Sequence, residues 1–260
     1  MCIIFMRKNY SFEQVKEIMI NYNLGEPRVF SIFEIGLENT NILVETKQGK
    51  YVIKVCEVET VEIENIEFEI SLMMKAFGCG LPVPKVIKSK TNNLFITFSD
   101  KIVFVMSYLE GENIQNKQVT ISFLEEVAQA SANMLKCFAD MHPVGSEHEE
   151  HYWNLKTFDV GKKYLSYLKK DNNVDQALIK TIYNEWEDNI AVNFPKMQMS
   201  YIHNDIASHN LLMKDGHLSG IVDFGDAVYG YLAFELAVTI TQLCMLQEDW
   251  KESVISYAKK

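Results

Sequence analysis

No run of apolar residues in this chain approaches the ~20 that a membrane-spanning helix needs. The longest, such as LFITF at 94–98 and KIVFVMSYL at 101–109, are short and interrupted, so no membrane partner is expected. The opening MCIIFMRKNY has a brief apolar patch followed by two basic residues, the reverse of the order in a secretory signal. Basic charge is also scarce. Lys and Arg number 25 against 35 Asp and Glu, a net charge of −10. That argues against nonspecific nucleic-acid binding, which needs a basic face, while leaving room for a small anion held by a few local groups. Cysteines are few and scattered: Cys2, Cys56, Cys79, Cys137 and Cys244 are odd in number and form no C-x-x-C. Reduced thiols serving as core filler in an intracellular, cytoplasmic chain are therefore expected, rather than a redox or metal centre. Repeats and low-complexity segments are lacking too.

What is present suffices for a real core, since 48% of the 260 residues are apolar. Residues 11–22 read as a short amphipathic helix with Ser11 as its N-cap. RVFSIFEIG (28–36), NTNILVETK (39–47) and KYVIKVCEV (50–58) read as an antiparallel meander turning at Gln48-Gly49. A helix of about five turns is expected over 61–80, an extended proline-bearing stretch over 81–89, and two strands turning at Ser99-Asp100. After Gly111 the pattern becomes helical, over 120–142, 157–170, 175–194 and 233–260, interrupted by short strands and turns within 201–230. The expected fold class is α+β in two lobes, an antiparallel β-sheet N-lobe over 1–106, a hinge over 107–111 and a mainly α-helical C-lobe over 112–260. The helical pattern is still running at Lys260, so a shortened second lobe is expected.

The informative stretch is YIHNDIASHNLLMKDGHLSGIVDFGDAVYG, residues 201–230. Asp205 and Asp223 sit in or beside apolar runs, with Asn210 between them. Each alone suits an Asx turn or a cap. Together they form H-x-D-x-x-x-x-N, with Asp223-Phe-Gly thirteen positions beyond the Asn. Phosphoryl transfer calls for these types: a carboxylate to orient the acceptor hydroxyl, and hard oxygen ligands for Mg²⁺. Asp205 suits the first task, Asn210 and Asp223 the second. Such a site also needs a nucleotide-binding lobe with a strand lysine and an acidic partner on the next helix. Lys54 in YVIKV is flanked by apolar residues and is costly there unless paired. Glu69 is favoured as partner because it precedes Leu72, Met73 and Phe77 on one helix face, with Glu67 second. The loop IGLENTN (35–41) lies where a phosphate-covering loop belongs, and Gly36, Asn39 and Thr40 are its candidate contacts; an ordinary hairpin turn fits it equally.

These residues together resemble the aminoglycoside phosphotransferase and choline kinase superfamily, relatives of protein kinases. YVIK, GLPVPKV, VMSYLEG, FADMH, HNDIASHNLL and IVDFGDA occur in the family's order over nearly the whole chain. The resemblance implies a protein-kinase-like fold in which the hinge backbone at Ser107 and Leu109 meets the nucleotide base. Within the superfamily the chain is most similar to the hydroxylysine kinases, through YWNLK at 152–156, LSGIVDFGDAVYGYLAFELAVTI at 218–240, and Glu235 where relatives more often carry Asp. That likeness implies GTP, or ATP, as donor with Mg²⁺, and 5-hydroxy-L-lysine as acceptor in the cytoplasm; the preference for GTP rests wholly on it. IGLENTN and GKYVIK are similar to homoserine kinases as well, so a homoserine or aminoglycoside kinase is the alternative, and a non-catalytic shortened nucleotide-binding homologue the third. An acidic wall for an acceptor with two ammonium groups could include Asp226, Glu235 and Glu149 or Glu150; Glu235 could instead bond the backbone of the catalytic loop. Two departures stand out. Asn204 occupies a place where the family usually has Gly, which adopts left-handed backbone more freely. The resemblance also leads one to expect C-terminal helices that help close the acceptor site, and these are expected to be missing from residues 1–260.

Three further features read as structural. HEEH at 148–151 lacks the spacing of H-E-x-x-H. Trp153 reads as a packing aromatic. His142 and His203 read as buried histidines holding the catalytic loop.

Overall fold

A computed structural model of the chain describes residues 9–33, 39–57, 62–115, 117–142, 154–165 and 175–260. The chain divides into two compact units. The first runs to Asn113 and also takes in residues 211–222; the second contains the remaining helices, Asp205, Asn210 and Asp223.

The first unit opens on α1 (Phe12–Met19), started by a capping box in which the Ser11 side chain and the Gln14 side chain each bond the other's backbone amide. Its sheet is built from β1 (Val29–Ile32), β2 (Asn39–Glu45), β3 (Lys50–Cys56), β4 (Val86–Ile87), β5 (Ile96–Phe98) and β6 (Lys101–Ser107). The order is β1-β2-β3-β6-β4, with β5 also on β6, and every pairing is antiparallel. Strand alternation sends Ile42, Val44, Ile53, Val55, Val103 and Val105 to one face, where they pack with Val15, Ile18, Met19 and Tyr22 around α1. The β5–β6 turn holds Ser99 and Asp100 at φ 48° and 61°, the backbone of a tight two-residue hairpin. After β3 comes α2 (Ile63–Gly78), which buries Ile66, Phe68, Glu69, Ile70, Leu72, Met73 and Ala76. Phe77, expected on that inward face, is 43% exposed. A second small sheet joins β7 (Glu112–Asn113) to the hairpin β9 (Leu211–Lys214) and β10 (His217–Ile221).

In the second unit α3 (Ile121–Phe138) is capped by Thr120 and buries Phe123, Leu124, Val127, Met134 and Phe138. The stretch expected as one helix over 175–194 is α4 (Gln176–Glu185) followed by a wider turn over 186–190 and a tight 3-10 segment over 191–196 that holds Pro195. Proline lacks the amide that a regular helix would use there. Trp186 in the wide turn packs on Phe158, Phe194 and Phe234. β8 (Met199–Ile202) pairs antiparallel with β11 (Val228–Tyr231). The last expected helix is also broken, into α5 (Leu232–Gln242) and α6 (Trp250–Ala258). The break falls at Leu243, where φ is −132°. Gln247 makes the interruption tolerable: its Nε2 donates to the Leu243 carbonyl and its Oε1 accepts from the Val119 amide. Of the cysteines, Cys56 and Cys244 are buried thiols outside any disulfide, as expected of core filler, whereas Cys79 and Cys137 each carry a disulfide bond, against the expectation of reduced thiols. Among the described residues no helix is long and apolar enough to cross a membrane.

Candidate functional site

In the first unit, period-2 alternation on β3 puts Lys54 on the face opposite Ile53 and Val55, away from α1. Lys54 is 2% exposed, and its Nζ donates to Glu69 Oε1 at 2.6 Å. Phe104, its partner across β6, lies 5.9 Å from the same ammonium. A buried lysine of this kind is tolerated because a carboxylate, here on α2, is buried with it.

The same alternation corrects the expectation for Thr40. Thr40, Ile42 and Val44 share the buried face of β2. The Thr40 hydroxyl donates to Glu57 Oε1 at 2.7 Å, and Glu57 also accepts from Tyr10 and pairs with Lys101. Thr40 is thus committed to a structural network, its hydroxyl spent on Glu57. Asn39 keeps the other face. Gly36, and likewise Glu149, Glu150, Trp153 and the HEEH segment, lie outside the described residues. Sequence reasoning passed over Asn41, which is directly opposite Lys54 in register and on the same face, with a buried Oδ1 that has no hydrogen-bond partner. Counting two residues from Asn39 along the strand would have found it.

In the segment expected as a hinge, the Ser107 amide donates to the Lys85 carbonyl at 2.8 Å. The return bond of an antiparallel pair would end on the Ser107 carbonyl, but the Lys85 amide donates to Ser107 Oγ instead, at 2.9 Å. Among the described residues no hydrogen bond uses the Ser107 carbonyl or the Leu109 amide. At the end of that segment, Gly111 stands at φ 144° where any Cβ would collide with Ser219 on β10.

In the second unit the loop after β8 is organised around Asp205. His203 is fully buried against Phe224, ring centroids 4.5 Å apart, and its Nδ1 accepts from the Asp205 amide at 3.3 Å. Asn204 is at φ 66°. That left-handed backbone explains why Gly or Asn suits the position, and the Asn adds a bond from Nδ2 to the Asp226 carbonyl at 3.1 Å. Of the two places expected for Glu235, the geometry is that of a loop anchor: it is 2% exposed and its Oε2 accepts from the Asn204 amide at 2.7 Å. Burial pushes its carboxyl up to about 7, with the Asp205 charge adding and the amides of Asn204 and His203 opposing.

Asn210 closes the loop from a 3-10 turn over Ser208–Asn210, donating from Nδ2 to the Asp205 carbonyl at 3.0 Å and to Asp205 Oδ2 at 2.7 Å. His209 Nε2 is 2.9 Å from the same Oδ2. That hydrogen bond, against the cost of burial and with the charges of Asp205, Asp223 and Asp226 helping, holds the imidazole pKa above its ordinary value. His142, expected to be buried against this loop, is exposed beyond the end of α3. Asp223 follows β10 at φ 63°, an uncommon backbone for a residue with a Cβ, and its Oδ1 accepts from the Gly225 amide at 3.3 Å. Among the described residues no three His, Cys, Asp or Glu side chains gather as a metal cage. The donor set still fits a hard cation of the Mg²⁺ type, which takes one or two carboxylates and completes its shell with substrate oxygens and water. Asn210 spends its NH₂ on Asp205, so its Oδ1 is the atom left to offer, beside the Asp223 carboxylate.

A family model described as the phosphotransferase enzyme family matches residues 29–254. The hydroxylysine kinase of Mus musculus is 25% identical over 232 residues, covering 78% of this chain and 61% of that protein. The homoserine kinase of Methylobacillus flagellatus is 23% identical over 239 residues, covering 90% of this chain and 70% of that one. The chain thus spans about three fifths of the length of the hydroxylysine kinases it matches. Among solved structures, the amicoumacin kinase hAmiN in complex with AMP-PNP, Ca²⁺ and Ami superposes with TM-score 0.72 at 12% identity over 96% of this chain and 77% of its own. A microcompartment-associated aminopropanol kinase superposes with TM-score 0.66 at 15% identity, over 96% and 81%. The expected mixed α+β, protein-kinase-like fold is the fold found.

Proposed function

Because the chain belongs to the phosphotransferase enzyme family, we propose that it transfers the γ-phosphate of a purine nucleoside triphosphate to a hydroxyl of a small amino-acid-like acceptor. The observation that carries this reading is the Asp205 carboxylate. It is held at one oxygen by Asn210, while no hydrogen bond among the described residues uses the other. In the proposal that second oxygen orients the acceptor hydroxyl and receives its proton as the phosphoryl group arrives. Asn210 Oδ1 and the Asp223 carboxylate would hold Mg²⁺, which when bound neutralises phosphate charge. Lys54, fixed by Glu69, binds the donor phosphates, with Asn39, Asn41 and the backbone near Gly36 as further contacts.

The hinge reads the base. The Ser107 carbonyl as acceptor and the Leu109 amide as donor match the amino group and ring nitrogen of adenine. Guanine presents the reverse pair and must slip along the hinge to be held. The likeness to hydroxylysine kinases favours GTP and 5-hydroxy-L-lysine, in the cytoplasm. The homoserine kinases match more of both chains, and homoserine is the second acceptor reading. Asp226 remains the candidate contact for an acceptor ammonium.

The test is phosphate transfer from Mg·ATP and Mg·GTP to 5-hydroxylysine, homoserine and an aminoglycoside. Turnover of one amino acid that vanishes in Asp205→Ala supports the reading. Nucleotide binding without transfer to any acceptor favours a non-catalytic nucleotide-binding homologue.

A further inference from the structure

Asp205 Oδ2 receives two side-chain donors, Asn210 Nδ2 at 2.7 Å and His209 Nε2 at 2.9 Å. An ionised carboxylate only accepts, so the imidazole is the donor. The turn that brings them together is tight: the Ala207 amide donates to the Asp205 carbonyl at 2.8 Å and the Asn210 amide to the Ala207 carbonyl at 2.9 Å. This curls residues 208–210 back over Asp205. His209 has no place in the proposed chemistry, yet it reaches the same carboxylate oxygen within hydrogen-bond distance, 2.9 Å against 2.7 Å for Asn210.

A carboxylate turns easily about its last torsion, so a single donor leaves either oxygen free to swing toward the acceptor. Asn210 is a divided clamp, because its Nδ2 is shared between the Asp205 carbonyl and Oδ2. A rigid ring anchored from the next residue is independent of that. We propose that His209 is a positioning residue for Asp205, holding Oδ2 so that Oδ1 stays presented to the acceptor hydroxyl. The inference rests on the phosphotransferase reading of Asp205, and small errors in such a placement are costly in rate.

The experiment compares His209→Phe and His209→Gln in the wild-type chain and in Asp205→Asn. His209→Phe should lower kcat by about ten- to a hundredfold with the KM for nucleotide unchanged. His209→Gln, which keeps an N–H donor, should recover most of the loss. In the Asp205→Asn background His209→Phe should cost nothing more, since the clamp then has no carboxylate to hold. Equal losses in Phe and Gln variants, or a full loss persisting in Asp205→Asn, would overturn the proposal. A second readout needs no turnover: the ¹⁵N resonance of His209 Nε2, at fixed pH, should move in Asp205→Asn. An unmoved resonance overturns the clamp. A moved resonance in a chain that phosphorylates no acceptor supports the clamp and sinks the phosphotransferase reading instead.

Discussion

Lys54 and Glu69 show how strongly one buried pair constrains its own replacement. Their side chains are 2% and 4% exposed. Lys54→Met leaves Glu69 as a buried carboxylate without its ammonium, and a loss of about 3–5 kcal/mol in chemical denaturation is expected. Adding Glu69→Leu should restore most of that stability while leaving nucleotide affinity low, which separates the structural task of the pair from its ligand task. Asp205→Ala should reduce transfer by about 10²- to 10⁴-fold and leave nucleotide binding, followed by calorimetry, intact. Glu235 makes a prediction in pH. Its carboxyl is pushed from 4.5 up to about 7 by burial. Below 4.5 it is protonated both folded and unfolded, so stability is whole. As pH rises toward 7 the unfolded chain ionises it first, and on the order of 3 kcal/mol is lost. Glu235→Gln should flatten that part of the stability profile measured by urea titration at successive pH values.

At the scale of elements, the segment over 107–111 depends on how closely it passes β10. An added Cβ at Gly111 would meet the Ser219 side chain and the Met213 carbonyl, on a backbone with φ 144° that disfavours it. Gly111→Ala should therefore lower the melting temperature and weaken nucleotide binding together. If binding is unchanged, the base does not lean on the hinge. Neighbouring sequence signalled several elements directly. The Ser11 capping box, the two-residue turn at Ser99-Asp100 and the apolar alternation of β2 and β3 are local, and local chemistry decides them. The end of α5 is different. Nothing within 233–260 announces a stop at Leu243; the break is stable because Gln247 reaches Val119, more than a hundred positions away in sequence. Trp186 likewise sits in a wide turn whose partners Phe158 and Phe234 come from distant segments.

For the molecule as a whole, the proposed function sets a net charge of −10 beside an anionic donor, so in that reading binding would depend on Lys54 and a cation more than on any general field. Saturation at a hundred times Kd should stabilise the fold by about 2.7 kcal/mol, read as a rise in melting temperature with Mg·nucleotide. Asp223→Ala should remove the Mg²⁺-dependent part of that rise; an unchanged rise would remove Asp223 from the metal assignment. The order of YVIK, VMSYLEG, HNDIASHNLL and IVDFGDA carried the family resemblance and with it the kinase-like fold class, while Asp205, Asn210, Asp223 and Lys54 stood out as candidates because a polar or charged group is odd in or beside an apolar run. Tertiary structure alone decided the rest. It turned Thr40 into the core, set Asn41 opposite Lys54, exposed His142, gave Glu235 to the loop backbone, and put His209 on Asp205. Those outcomes depend on register, on which face of a strand is covered, and on which distant group fills a buried partner's place. Such terms arise only when segments remote in sequence compete for the same space and the same hydrogen bonds.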